Sequence, residues 1–265
     1  MLPLCKFIQI EERNQRKNDM TTQHQKIALI TGASRGIGAS ITKHLANDGF
    51  AVVINYSSNA ATANALVNEL IKEGKTALAI KADVSQPEQV KAMFDEVESK
   101  LGTIDVLVNN AGILKTQPLA GTSDELFDQY FSINVQGVFN TLREAGSRLN
   151  NGGRIINLSS TTLALNLPGY AVYNGTKAAV EAFTKAFAKE LRGRSIMVNA
   201  VAPGPVATDL FLNGKSEEMI QNFAKMPPLE RLGQPEDIAH IVSFLASPAS
   251  GWINGQILRA NGGLA

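Results

Sequence analysis

The chain is poor in the residues that build covalent or metal-held frameworks. It has one cysteine, Cys5, and three histidines, His24, His44 and His240, among 265 residues. A lone thiol excludes an intramolecular disulfide, and so sparse a Cys/His set disfavours a zinc centre, so no metal is expected. Charge of one sign is also lacking, because 25 Lys+Arg stand against 24 Asp+Glu for a formal net charge of +1. That balance supplies no general attraction for nucleic acid or an anionic membrane, and neither is expected as a partner. No run approaches the 18 or so uncharged apolar residues of a transmembrane helix. The composition, 44% hydrophobic and 18% charged, is that of an ordinary globular chain, and its length fits one large α/β domain. A cytoplasmic protein is the expectation.

Residues 1–25 differ from the rest. Met1–Phe7 is mildly apolar but interrupted by Lys6, and Ile10–Asp19 is strongly polar. A signal peptide has the opposite order, with charge before a longer apolar run. The segment is expected to be a polar, flexible extension, with the folded domain spanning 26–265.

From Lys26 onward, short β-branched runs alternate with amphipathic stretches. The runs are Ile27–Thr31, Ala51–Asn55, Thr76–Ala82, Ile104–Asn109, Arg154–Ser159, Ile196–Ala202 and Gln256–Ala260. Near-continuous apolarity marks strands covered on both faces. Between them, Ile37, Ile41 and Leu45 repeat at helical spacing, as do Leu66 and Leu70, and Val90, Phe94 and Val97. Longer helices are predicted near Ser123–Leu149 and Tyr173–Leu191, and shorter ones at Glu217–Ala224 and Pro235–Ala246. This alternation implies βαβ units. The predicted fold is α/β, a Rossmann-type doubly wound seven-stranded parallel sheet with helices on both faces, in a single domain.

The first strand leads directly into Gly32-Ala33-Ser34-Arg35-Gly36-Ile37-Gly38 and then a helix. Glycines let backbone approach a pyrophosphate, and a helix N-terminus offers N–H groups and partial positive charge. Gly32, Ser34, Arg35, Gly36, Ile37 and Gly38 are therefore candidate cofactor residues. The second strand ends Asn55-Tyr56-Ser57-Ser58, with no acid from Ala51 through Asn68. A carboxylate there would serve NAD and repel a 2′-phosphate. Its absence, the hydroxyls, and the guanidinium of Arg35 favour NADP (as NADPH in reduction) over NAD.

Two further strand ends carry small or polar groups: Asn109-Asn110-Ala111-Gly112, where Asn109, Ala111 and Gly112 are candidate cofactor contacts, and Ser159-Ser160. Tyr173 and Lys177 lie at i and i+4 and share a helical face. A nearby ammonium is expected to lower the phenol pKa, and a serine hydroxyl can hydrogen-bond a carbonyl oxygen.

Taken in order, Thr31–Gly38, Asn109–Gly112, Asn134, Ser160, Tyr173-x-x-x-Lys177 and Pro203-Gly204 resemble the short-chain dehydrogenase/reductase superfamily, and the stretches Ile27–Gly38 and Pro228–Asp237 are similar to 3-oxoacyl-(acyl-carrier-protein) reductase-like members in particular. The resemblance runs from about Lys26 to Gly263. It implies that Tyr173 is the acid in reduction and the base in oxidation. Lys177 would hold the nicotinamide ribose and lower the tyrosine pKa, and Ser160 would polarise the carbonyl. Asn134 would shape its helix and hold a water of the proton relay. Asp83 and Val84 would flank the adenine, and Pro203, Gly204, Val206 and Thr208 would line the nicotinamide side. Tyr170, which has no lysine at i+4, is expected at the substrate mouth.

The implied activity is hydride transfer between nicotinamide and a small-molecule carbonyl or secondary alcohol, chiefly ketone reduction. The substrate cleft is expected between 161–170 and 209–228, the latter forming a mobile lid. Two alternatives stand beside it: a 3-oxoacyl-carrier-protein reductase, with Arg143 and Arg148 as the nearby cations for an acidic partner, and a non-catalytic dinucleotide-sensing protein. The resemblance further implies a homo-oligomer, expected to be a homotetramer.

Overall fold

The computed structural model describes residues 25–265. The extension expected over 1–25 therefore lies, apart from Gln25, outside the described residues. Seven parallel strands form one sheet: β1 Ile27–Ile30, β2 Ala51–Tyr56, β3 Ala77–Lys81, β4 Val106–Asn109, β5 Arg154–Leu158, β6 Met197–Pro203 and β7 Ile257–Ala260. Their spatial order is β3-β2-β1-β4-β5-β6-β7. The chain winds outward from β1 to β3 and returns to place β4 beside β1, pairing Ala28 with Val106 and Ile30 with Val108. That reversal opens a crevice at the carboxyl ends of β1 and β4, where open α/β sheets bind ligands.

The strand residues divide by parity. Ala28 and Ile30 point into one core with Val52, Ile54, Val106 and Val108. That face is covered by α1 (Gly36–Asn47) and α2 (Ala60–Lys72), and by the helix Pro235–Ala246 near the C-terminus. Ile27 and Leu29 point into the opposite core with Val53, Leu107, Ile155 and Val198. There they meet α3 (Pro87–Lys100), whose Val90, Met93, Phe94 and Val97 are buried. Side-chain alternation along a strand makes two cores from one sheet.

The helix expected over Ser123–Leu149 is built in three parts: α4 (Asp124–Phe131), a π-helical turn at Ser132–Gln136, and α5 (Gly137–Arg148). The turn inserts a residue without disturbing the apolar spacing on either side, so periodicity does not reveal it. After β5 come α6 (Thr162–Leu165) and α7 (Ala171–Glu190), the latter starting two residues before the expected Tyr173. The segment expected as a lid contains α8 (Asp209–Leu212), capped by the Thr208 hydroxyl accepting from the Phe211 N–H. It continues into α9 (Glu217–Lys225), and α10 (Pro235–Ala246) closes the helical set. Among the described residues, no helix is long and apolar enough to cross a membrane.

Candidate active site

The loop between β1 and α1 is shaped for a close backbone approach. Gly32 (φ 59°) and Gly36 (φ 55°) occupy the left-handed region, which costs glycine little. A Cβ on Gly32 would lie 2.9 Å from Ala111 Cα, and one on Gly38 would lie 2.5 Å from Asn110 Nδ2 and 2.7 Å from the Gly32 carbonyl oxygen. Arg35 is exposed at the N-cap of α1, in extended conformation, with no side-chain cap and no acid in the first turn. The first-turn N–H groups thus have no competing carboxylate, which is the chemistry a dinucleotide phosphate requires. The residues present fit that group.

Asn110 and Thr31 brace this loop, a role that their places in the two motifs do not by themselves reveal. Asn110 Nδ2 donates to the carbonyls of Thr31 and Gly32, both at 2.9 Å. The Thr31 hydroxyl accepts from the N–H groups of Asn110 and Ala111, both at 3.0 Å.

Three expected cofactor contacts have their side chains engaged within the protein. Asn55 is 1% exposed. Its Oδ1 accepts from the Gly32 N–H at 3.2 Å and its Nδ2 donates to the Ala82 carbonyl at 2.9 Å, so it supports the loop from behind. Asn109 Oδ1 accepts from the Thr141 hydroxyl at 2.7 Å, and its Nδ2 donates to Asn157 Oδ1 at 2.9 Å. Asn157 in turn donates to the Thr184 hydroxyl at 2.9 Å. This buried chain joins α5, β4, β5 and α7, with every amide paired as burial demands. Asp83 Oδ1 accepts from the N–H and hydroxyl of Ser85. Val84 is buried against Gly137, where a Cβ would come within 2.7 Å of Val84 Cγ2. Tyr56 is half-buried and Ser57 and Ser58 are exposed at the end of β2.

Beside the loop lies a cavity of about 150 Å³. Ile37, Gly112, Ser160, Tyr170, Tyr173 and Lys177 reach it, with Pro203, Gly204, Val206 and Thr208 along the β6 side. A Cβ on Gly36 would sit 3.4 Å from Thr208 Cγ2, so the loops after β1 and β6 meet across its edge. Most of the remaining wall is apolar, including Ile113, Leu114, Leu165, Leu167, Phe211 and Phe223, with Thr161 and Thr162 among its polar members. Ile113, Leu114 and Phe223 carry no sequence signal for this place; only the fold brings them here. The segment expected as a lid contributes Leu210, Phe211 and Phe223, with the two phenylalanine rings edge to face at 5.2 Å.

Successive turns of α7 engage the end of β5. Lys177 Nζ donates to the Leu158 carbonyl at 2.7 Å and lies 5.7 Å from the centre of the Tyr173 ring. Ser159 Oγ donates to Glu181 Oε1 at 2.7 Å, which occupies that serine and leaves Ser160 to line the cavity with Tyr173. Asn134, wholly buried in the π turn, accepts from the Ile113 N–H at 2.8 Å and donates to the Ile113 carbonyl and the Thr176 hydroxyl. Thr176 donates to the Tyr173 carbonyl at 2.7 Å. Asn134 therefore holds the strand end after Gly112 against the first turns of α7.

The expected lowering of the tyrosine pKa by Lys177 is corrected by the structure. Burial pushes the Tyr173 phenol up to about 12, and only the Ser160 hydrogen bond works against it. Burial also draws the Lys177 ammonium down to about 8. Loss of hydration opposes both charges, and Lys177 directs a donor to Leu158 rather than to the phenol oxygen. Tyr170 and Tyr130 are likewise raised by burial. The ring of Tyr130, tied by its hydroxyl to the Lys115 backbone, packs 6.3 Å from that of Tyr173.

A parallel sheet with a phosphate cradle at its switch point, opening onto a cavity that holds a phenol, an ammonium and a serine hydroxyl, defines a dinucleotide-dependent oxidoreductase. Comparison with known proteins narrows the class. The family model described as enoyl-(acyl carrier protein) reductase matches residues 32–265. A short-chain type dehydrogenase/reductase of Picea abies is 46% identical, over 90% of this chain and 92% of its own. An NADPH-dependent aldehyde reductase-like chloroplastic protein of Arabidopsis thaliana is 44% identical, over 90% and 93%. A 3-oxoacyl-[acyl-carrier-protein] reductase of Staphylococcus aureus is also 44% identical, over 90% and 98%. Among solved structures, a short-chain dehydrogenase/reductase from Serratia marcescens superposes with TM-score 0.86 at 37% identity, covering 91% and 98%. A metagenomic blue fluorescent protein in complex with NADPH superposes equally well at 36% identity and the same coverage. The chain belongs to the short-chain dehydrogenase/reductase superfamily.

Proposed function

We propose that the protein is an NADP(H)-dependent carbonyl reductase, interconverting an aldehyde or ketone and its alcohol. The convergence of Ser160, Tyr173 and Lys177 on one apolar cavity beside the glycine loop carries this reading. When bound, reduced nicotinamide supplies the hydride. Ser160 donates a hydrogen bond to the carbonyl oxygen, which gathers negative charge as the hydride arrives. Tyr173 passes its proton to that oxygen, and runs the step backward as base in oxidation. Lys177, whose ammonium lies 5.7 Å from the centre of the Tyr173 ring, would hold the cofactor ribose. The apolar wall excludes water from the reacting carbon.

Preference for NADP(H) is supported by the exposed Arg35 at the α1 N-cap and by the acid-free end of β2. The names of two plant relatives specify NADPH. A carrier-bound 3-oxoacyl substrate is the second reading, favoured by the staphylococcal relative. One of the two cations considered for carrier docking is committed elsewhere: Arg148 contacts Asp95, Glu98 and Glu144 at 2.7, 2.7 and 3.0 Å. Arg143 lies over the Phe139 ring at 5.3 Å. A purely sensing role gives no work to the three reactive side chains. For assembly we propose a homotetramer, consistent with the full exposure of Trp252 ahead of β7; a monomer mass by light scattering would refute it.

The test follows NADPH absorbance over uncharged aldehydes and ketones and a carrier-bound 3-oxoacyl substrate. Turnover of the free carbonyls is expected. Turnover of the carrier-bound substrate alone would transfer the assignment to the second reading. NADPH binding with no turnover would point to the sensor.

A further inference from the structure

Beyond the residues placed at the reaction, and resting on the proposed carbonyl reduction, we propose that Thr162 is a positioning residue that holds the Ser160 hydroxyl in its donor orientation. A serine hydroxyl has one hydrogen and two lone pairs, and its rotor is free unless neighbours fix it. Ser160 Oγ accepts from the Thr162 hydroxyl at 2.9 Å and from the Thr162 N–H at 3.3 Å. With both lone pairs engaged, the hydrogen of Ser160 is directed away from Thr162, toward the cavity that Tyr173 also lines. A serine that donates toward Tyr173 favours its phenolate form, and one that accepts does not.

The backbone around Thr162 is held on two sides. Thr161 N–H donates to the Pro203 carbonyl at 2.9 Å, and its hydroxyl donates to the Ala202 carbonyl at 3.0 Å. The Thr162 carbonyl accepts from Asn174 Nδ2 at 3.1 Å. Asn174 adjoins Tyr173 on α7, so the turn carrying both hydroxyls is strapped to the helix carrying the acid. A chain of donors then runs from Thr162 through Ser160 to the substrate oxygen. Such chains polarise one another, making the terminal donor stronger than a lone hydroxyl.

Thr162→Val keeps the shape and the N–H but removes the donor hydroxyl, so Ser160 regains a free lone pair and a freer rotor. The expected result is a fall in kcat of about tenfold, the size of one modest hydrogen bond, with NADPH affinity and Tm unchanged. Thr162→Ser should restore the rate. In a Ser160→Ala background, Thr162→Val should add no further loss. A readout independent of turnover is the carbon-13 signal of Tyr173 Cζ, one of four tyrosines in the chain, assigned with Tyr173→Phe and followed against pH. Its titration should begin at higher pH in Thr162→Val and return in Thr162→Ser. An unchanged titration in Thr162→Val, or failure of Thr162→Ser to restore it, overturns the proposal even if the substrate assignment stands. A shifted titration in Thr162→Val, together with a wild-type protein that reduces no carbonyl, would instead overturn the functional reading alone.

Discussion

Lys177 carries its charge in a setting that opposes it. Below about pH 8 the lysine is protonated in both folded and unfolded chains, and the full cost of burying the ammonium is present. Between about 8, its folded pKa, and 10.5 the folded protein releases the proton first, so that cost fades and stability rises with pH. Tyr173 acts oppositely at higher pH. Its phenol keeps its proton up to about 12 when folded, so its contribution falls from about pH 10 upward as the unfolded chain ionises. Urea unfolding of wild type and Lys177→Met should therefore diverge in the wild type's favour between pH 8 and 10.5, by an amount on the order of 3 kcal/mol. A difference that stays constant with pH would show that burial does not depress the lysine. Arg35 makes the second prediction at this scale. Arg35→Ala should raise the Kd for NADPH about tenfold or more and that for NADH little. Equal losses in a fluorescence titration would remove the 2′-phosphate contact from the account.

At the scale of elements, the loop between β1 and α1 joins two constraints that the sequence displays only in part. Its glycines and its placement between strand and helix are legible because they obey local rules. The packing that makes Gly38 irreplaceable is not, because Asn110 arrives from β4, far along the chain. Gly38→Ala must displace both Asn110 and the Gly32 carbonyl. It should lower Tm by several degrees and weaken NADPH binding at least tenfold; a wild-type Tm with wild-type affinity would contradict the close approach. The π turn between α4 and α5 has the opposite history. Asn134 is legible as a site residue only through family resemblance, and the helical irregularity that brings it to Ile113 leaves no mark in the apolar spacing. Asn55 and Asn109 sit where cofactor contacts are expected, yet their side chains support backbone and buried polar groups. Position along a strand end does not by itself reveal which way an amide is spent.

Across the whole molecule, the seven-stranded sheet is readable because its strands are buried on both faces and so stand out as unbroken apolar runs. Ion pairing between distant elements is not readable in that way. Arg148 looks like a free cation in the sequence, but α3 supplies Asp95 and Glu98, and Glu144 reaches it from one turn earlier on α5. Its side chain is only 17% exposed, and it covers the Phe94 ring at 5.4 Å. The carboxylates hold its pKa well above the usual arginine range. Arg148→Ala should therefore destabilise the fold by about 1–3 kcal/mol in urea unfolding. The NADPH-to-NADH preference should stay unchanged. Unaltered stability would return Arg148 to the pool of available docking cations.

The claim on which the account turns is that Tyr173 delivers the proton to a carbonyl oxygen held by Ser160 beside the bound nicotinamide. Its most direct test is steady-state NADPH oxidation with a carbonyl substrate of the wild-type enzyme, compared in parallel with Tyr173→Phe, alongside NADPH binding to both. The account predicts that loss of this one hydroxyl lowers kcat by about a thousandfold, within the range for removal of a general acid. The NADPH Kd should change by less than about threefold, because the ring and the loop between β1 and α1 remain. A Tyr173→Phe enzyme turning over at near wild-type rate would contradict it.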